Sequence, residues 1–582
     1  MIFPARTMQH LGLTAVFAIV FVSSGRAQSS SISVTQTNFS IVDRGGASRT
    51  GGSTGNTVAV GYARIQPNAG NTTPAGLAIF GLQLNGTLVS EVGVPAARLV
   101  QTGRIYAEVG SAINTGIAIA NPSDRDAAVS FFFTDSSGTD FGAGTAIVPA
   151  NGQISKFLDQ APFNGGSNIR GTFSFSSNVP VSVVALRGLL NERSEFLMSS
   201  LTVVDTSATR ATTNTTLPHF AAGGGWTTQI ILVNPSDSAI GGDIRFVTPT
   251  GEALDTVPFV IPRRSSFKTQ TSGTGSSVQT GSVQVVRNSG DAAPSSLAIF
   301  SYKTAGITVS EAAIASTSGT MLRMYAEIAG AFGAIGSKQS GVAIANPGSS
   351  PARVRFELTS FDGSLLATSS IVIPGNGQIA KFLNDIFPSQ TLPSPLQGVL
   401  RIATDAGISV VGLRGRYNER GDFLVTTTPP TNEEEPASSA ELVFPEVVSG
   451  GGYSTQFLIF SGSTGQRSDG TIRFLNQDGT PQTLNWPVSR VGGTVTEPVV
   501  ASRVEPQYSD AARAARIQGT VVMQAVVHED GSLSIVRIIQ KLGFGLDENA
   551  QSALEQWRFR PAMQAGQPVA VSLNVEVNFI LR

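Results

Sequence analysis

The chain has 582 residues, of which 41% are hydrophobic and only 14% charged, and a formal net charge of -1. That length is beyond what a single core serves, so roughly four to six domains are expected. With neither sign of charge dominating any long stretch, the footprint needed for a nucleic-acid partner is missing. Cysteine is absent, which excludes disulfides, thiolate metal sites and cysteine nucleophiles. Sixty-three glycines and thirty prolines, with Ser and Thr between Val/Ile/Phe clusters, describe short strands joined by many turns.

At the N-terminus, Arg6 and His10 precede the apolar run Leu11 to Val22, and small residues follow in Ser23-Ser24-Gly25-Arg26-Ala27. About 12 apolar residues suit the hydrophobic region of a signal peptide, whereas a spanning helix needs about 20. Residues 1–27 are therefore expected to be a signal peptide cleaved after Ala27. This places the chain in the periplasm or cell envelope; an inner-membrane anchor over residues 11–22 is the alternative if cleavage does not occur. Residues 28–56, rich in Ser, Thr and Gly, are expected to be a flexible linker.

A long internal repeat follows. Gly116-Ile-Ala-Ile-Ala-Asn-Pro122 recurs as Gly341-Val-Ala-Ile-Ala-Asn-Pro347, and Asn151-Gly-Gln-Ile-Ser-Lys-Phe-Leu158 as Asn376-Gly-Gln-Ile-Ala-Lys-Phe-Leu383, both 225 positions later. Leu186-Arg-Gly with Asn191-Glu-Arg recurs at Leu413-Arg-Gly with Asn418-Glu-Arg, and Leu77-Ala-Ile-Phe80 at Leu297-Ala-Ile-Phe300. Leu232-Val-Asn-Pro235 lies midway, so the module is about 110 residues long, a size and strand pattern that suit an immunoglobulin-like β-sandwich. Whole modules are expected at 104–204, 217–320 and 323–427. Partial ones are expected at 57–103, matching only the second part of a module, and 441–495, matching only the first. These halves would complete one sandwich if they paired; simple truncation is the alternative. The Asn-Glu-Arg triplets read as turns in which Glu and Arg pair locally. The segment 428–440, with Glu433-Glu-Glu435-Pro, reads as a solvated linker.

Only His10, His219 and His528 are present, so neither a Ser/His/Asp triad nor a multi-histidine metal site has enough material. His219 reads as a loop residue after Pro218, and His528 as the end of a strand. No enzyme activity, metal or cofactor is expected.

From Val504 the pattern changes to β-β-α-β. Val504 to Arg516 contains a short helix, and Thr520 to His528 and Leu533 to Gln540 are strands about an Asp530-Gly531 turn. Leu546, Ala550, Leu554 and Trp557 share one helix face, with Asp547 as expected N-cap. A last strand, Val569 to Leu581, alternates apolar and polar residues.

Gln518-Gly-Thr-Val-Val522, Asp530-Gly531, Gly545-Leu-Asp547, Trp557-Arg-Phe-Arg-Pro-Ala562, Gly566-Gln-Pro-Val569 and Val575-Glu-Val-Asn-Phe579 together resemble the C-terminal domain of the TonB energy-transducer family over residues 497–582. The resemblance implies a domain that binds TonB-dependent outer-membrane receptors, whose extended segment adds a strand to its sheet, in support of transmembrane transport. The last strand is the expected edge, with Val571, Ser572, Leu573, Asn574, Val575 and Glu576 as contact residues. The resemblance also implies an ExbB/ExbD motor complex as partner, although the family's proline-rich spacer is replaced here by β modules. The alternative is an exported structural or adhesive repeat protein using the domain only for docking or as a homodimer contact.

Overall fold

A computed structural model describes residues 14–20, 30–52, 57–489, 491, 492, 494–564 and 567–581. The chain is mainly β, with 61% of residues in strands and 4% helical. It divides into two compact units, residues 41–484 and residues 1–40 with 485–582. The expected cleavage point after Ala27 lies outside the described residues. Among those described, no helix is long and apolar enough to cross a membrane.

Within residues 41–484 the repeat is reproduced strand for strand. An eight-stranded sheet runs Asp140–Val148, Ala127–Asp135, Ile169–Leu190, Val100–Val109, Ile113–Ala120, Gln153–Phe157, with Phe196–Leu201 added on Ile169–Leu190 and Val204–Asp205 on Val100–Val109, and its counterpart in the second repeat has the same order. Each is organised by a 22-residue strand, Ile169–Leu190 or Leu396–Tyr417. The first half of Ile169–Leu190 pairs with Val100–Val109 and its second half with Ile113–Ala120, with the register broken between Ser176 and Val181. One strand thus serves both layers. Between the two sheets in sequence, residues 215–314 form a sandwich of two four-stranded sheets.

The fourth sandwich is assembled from both ends of the unit. Leu442–Ser449 and Ser468–Asn476 pair on either side of Ala59–Pro67, with Ile65 opposite both Leu442 and Ile472. Tyr453–Phe460 pairs with Ala75–Leu84 on one side and Gly46–Gly52 on the other. The segment 28–56, expected as a linker, therefore contains strands: Gly46–Gly52 stands 220 positions before Ser266–Gln270, which holds the same place in its own sandwich. Its Gly-Ala-Ser-Arg-Thr-Gly-Gly sequence gives no apolar signal, because backbone pairing to a Phe-rich neighbour asks little of the side chains.

The four sandwiches contact one another in a closed cycle. One core joins Ile105 and Phe173 to Ile231 and Ile299, a second joins Phe300 to Ala343 and Val411, a third joins Tyr325 and Val399 to Leu77 and Leu458, and the fourth joins Ala120 to Tyr62 and Val443. Polar joints reinforce the seams. Buried Arg187 pairs with Glu311, and Lys268 reaches Glu108 at 2.5 Å; at the equivalent seam buried Arg414 reaches Glu327 at 3.1 Å and Glu91 at 3.6 Å. Burial pushes the Glu327 carboxyl up, but Arg414, Lys338 and Arg416 outweigh it and hold it at about 2.

The repeated motifs serve this assembly. Asn121, Asn234 and Asn346, each fully buried, donate to three backbone carbonyls apiece, tying the Asn-Pro turn to the end of an edge strand. The Asn-Glu-Arg triplets do sit in turns, but they clip modules together as well as pairing locally. Asn191 donates to the Thr308 carbonyl at 2.9 Å while Glu192 accepts from the Thr308 amide at 2.7 Å, and Asn418 and Glu419 do the same to Leu88. Arg193 pairs with Asp422 and Arg420 with Glu195, linking the two repeats. Glu433, read as part of a solvated spacer, is instead buried between Arg323 and Arg401 at 3.0 and 2.7 Å. A charge run in sequence does not reveal that its first residue has two guanidinium partners, 110 and 32 residues upstream.

Replacing Arg414 with Met takes the shared guanidinium from two buried carboxylates, leaving Lys338 to Glu327 and Arg416 to Glu91, and is expected to lower the unfolding free energy by about 3–5 kcal/mol. Arg98→Ala, which breaks an exposed pair with Glu435, should cost less than about 1 kcal/mol. Urea denaturation of the two variants compares them directly.

Candidate partner-binding edge

The C-terminal unit carries a hairpin, Gly519–Val527 and Leu533–Gln540, a helix, Leu546–Glu555, and a last strand, Val571–Ile580. Apolar alternation drives the sheet: Val521, Met523, Ala525, Val571, Leu573, Val575, Val577 and Phe579 point into one core with Leu546, Ala550, Leu554 and Trp557 from the helix side. Trp557 is 1% exposed and donates from its indole nitrogen to the Val504 carbonyl at 3.0 Å. The short helix Asp510–Ala514 is capped by Ser509, whose hydroxyl accepts from the Ala512 amide at 3.0 Å.

Two local features differ from expectation or sharpen it. Asp547 is not the N-cap; Gly545, in the left-handed region at φ 77°, is. The Asp547 carboxylate lies within the first turn and accepts from the amides of Leu542 and Gly543 at 2.8 and 3.0 Å, holding the entering loop against the helix. Gly531 in the hairpin has φ 77°, and a β-carbon there would stand 2.0 Å from the Phe559 carbonyl oxygen. Glycine is needed there both for the turn and for the Phe559 backbone, whose amide donates to the Gly531 carbonyl at 2.7 Å.

The last strand pairs on its inner side with Gly519–Val527, Val571 opposite Val527 through Phe579 opposite Gly519. On its outer side it pairs antiparallel with Thr14–Val20 over seven residues, from Thr14 opposite Ile580 to Val20 opposite Asn574. The six residues singled out from sequence divide accordingly. Asn574, Val575 and Glu576 lie on the stretch covered by Thr14–Val20, whereas Val571 bridges to Ser489. Val571, Leu573 and Val575 are buried, and Ser572, Asn574 and Glu576 are half-buried on the opposite face. The last strand, expected as an edge, is therefore an interior strand of this sheet, with Thr14–Val20 outside it and polar side chains on one face.

The sequence reading missed this strand. Residues 14–20 fall inside the run expected as a signal hydrophobic region, and a short apolar run cannot be assigned to strand or helix from periodicity alone. The one clue is composition: three of the seven residues in Thr-Ala-Val-Phe-Ala-Ile-Val are Val or Ile, and Thr14 adds a fourth β-branched side chain. Among the described residues no group of His, Asp and Glu could hold a metal ion.

Residues 504–581 match the family described as Gram-negative bacterial TonB protein C-terminal, and this part of the chain is a TonB C-terminal domain. Protein TonB of Vibrio cholerae serotype O1 (strain ATCC 39315 / El Tor Inaba N16961) is 28% identical to the chain over 108 residues, covering 17% of this chain and 44% of that protein. The chain thus spans less than half the length of this curated relative. Among solved structures, the triple jelly roll turret protein of an archaeal virus aligns over 68% of this chain and 91% of its own at 11% identity, with a TM-score of 0.13. The infectious bursal virus protein of T=1 particles aligns over 68% and 82% at 10% identity, with a TM-score of 0.10. Scores this low carry no argument about the β modules.

Gly531→Ala is expected to destabilise the C-terminal domain by at least about 1–3 kcal/mol through backbone strain, with the clash against Phe559 adding to it. Gly543→Ala, at φ 75° but facing open space, should cost about 1 kcal/mol. Thermal unfolding of both variants measures the difference.

Proposed function

We propose that this is an exported periplasmic or cell-envelope protein whose TonB C-terminal domain binds TonB-dependent outer-membrane receptors by β-strand addition, in support of transport across the outer membrane. The observation that carries this reading is the outer edge of Val571–Ile580, which accepts Thr14–Val20 as an antiparallel strand across seven positions. An edge that takes one extended apolar segment has the backbone donors and acceptors to take another, and strand addition asks nothing more of it chemically. Removal of residues 1–27 by signal peptidase leaves that edge open to a receptor segment. Asn574, Val575 and Glu576 are the central contacts, flanked by Val571, Ser572 and Leu573 on one side.

The domain family transduces or binds rather than catalyses, and no catalytic step is assigned to this chain. Coupling to an ExbB/ExbD motor belongs to the same reading only if residues 11–22 stay uncleaved as an anchor; docking needs neither motor nor anchor.

Because the protein has no native cysteine, register can be read by disulfide trapping. Asn574→Cys and Glu576→Cys are expected to cross-link to cysteines scanned through the receptor's extended segment with a two-residue period and in antiparallel order. Ser552→Cys, on the helix, should give none. Cross-links without periodicity, or equal yields from the helix control, would remove strand addition from the account.

A further inference from the structure

Two pockets in the unit of residues 41–484 are built from the same repeat positions. One, of about 230 Å³, lies between the sandwich of residues 215–314 and the repeat at 317–432; the other, of about 340 Å³, lies between the composite sandwich and the repeat at 100–205. All sixteen residues lining the first have their counterparts among those lining the second, at offsets of 225, 227 or 220 positions. We infer that these are twin binding sites for a small, uncharged aromatic molecule of one or two rings with a single polar atom.

The walls support that chemistry. Phe300, Phe382 and Phe423 in one pocket correspond to Phe80, Phe157 and Phe196 in the other. Two glycines set one of these rings: a β-carbon at Gly415 would come within 2.8 Å of Phe423, and one at Gly188 within 2.3 Å of Phe196. Neither glycine has a left-handed φ, so it is the ring and not the backbone that requires them. Trp226 stacks on Tyr302 at 4.6 Å and meets Phe423 edge-on at 6.4 Å, an aromatic wall of the kind against which an aromatic guest packs. A packed interior normally closes such voids. Here the residues around them have drifted, Trp226 to Tyr453 and Val425 to Met198, while the voids persist in both halves.

One polar group in each pocket is delivered by the same device, beside Lys381 in the first and Ser155, Lys156, Gln160 and Arg187 in the second. Strand register breaks between Leu217 and Phe220, and again between Phe444 and Val447, and the residue after the proline of each bulge, His219 or Glu446, is turned into its pocket. The repeated glutamine of the Asn-Gly-Gln motif meets it from the neighbouring module, Gln378 at His219 Nδ1 (3.0 Å) and Gln153 at Glu446 Oε2 (2.9 Å). Burial lowers the His219 imidazole to about 4 and raises the Glu446 carboxyl to about 8, so neither of these two groups carries a charge at neutral pH. A cavity of about 150 Å³ lined by apolar side chains is enough for benzene, so these two have room for one or two rings.

The test is the stoichiometry of 1-aminonaphthalene, a two-ring probe with one polar atom that is uncharged at neutral pH, on the full processed chain, by fluorescence titration and calorimetry. Two molecules per chain are expected. Val278 and Val58, equivalent residues at the pocket mouths and 48% and 46% exposed, can each be replaced by Trp to fill one pocket from outside. Either variant should bind one molecule and the double variant none, with unchanged thermal midpoints; in each single variant the untouched twin reports that the fold is intact. If a Trp variant fails to fold, Val278→Phe and Val58→Phe should weaken one site at least tenfold. No binding by the parent chain, or two molecules still bound by the folded double variant, overturns the inference.

Discussion

The unit of residues 41–484 depends on the pairing of its two ends. Ala59–Pro67 lies between Leu442–Ser449 and Ser468–Asn476, so strands almost four hundred residues apart share one sheet. A linear array of modules exposes a raw face at each end and frays from there. Closing the array removes both faces: Leu77 and Leu458 pack against Tyr325, and Tyr62 and Val443 against Ala120, where an open chain would leave them in water. The entropy of bringing such distant segments together grows only slowly with the length between them, whereas closure takes apolar surface out of water at two seams at once. Closure also explains the two half-modules: neither is a remnant, because each lacks the strands that the other supplies.

The repeated motifs follow from the same constraint. In a closed assembly with internal two-fold repetition every seam occurs twice, and the residues that make a seam recur at the repeat offset. Arg187 with Glu311 and Arg414 with Glu91 are one joint used twice, as are Asn191 on Thr308 and Asn418 on Leu88. Buried ion pairs add little net stability over apolar packing, but removing one partner is costly, so they fix which modules meet and in what register. The C-terminal unit carries the opposite arrangement. Its last strand has an edge that is filled by a separate segment rather than closed by its own sheet, and the proposed function rests on that edge.

Much of this was legible in the sequence for a physical reason. Period-two alternation in Val571 to Phe579 and the i, i+4, i+8 spacing of Leu546, Ala550 and Leu554 are local consequences of strand and helix geometry, and the structure has both. The repeat offsets exposed the modules because equivalent joints need equivalent residues. What stayed hidden was set by distant partners. Glu433 reads as solvated until Arg323 and Arg401 are brought to it, His219 reads as a loop residue until a bulge turns it into a pocket, and Gly46–Gly52 has no strand signal of its own. Asn574 to Glu576 were singled out through the domain resemblance and their alternation, whereas the segment that pairs with them was not.

The most direct test of closure is native-state hydrogen exchange followed by mass spectrometry. Amides in Ala59–Pro67, in Leu442–Ser449 and in the distant strand Lys338–Ala345 are predicted to open with the same free energy, because undoing the composite sandwich exposes the seams on both sides. If Ala59–Pro67 and Leu442–Ser449 exchange early while Lys338–Ala345 stays protected, the ends fray as they would in an open array, and closure is not what holds the unit together.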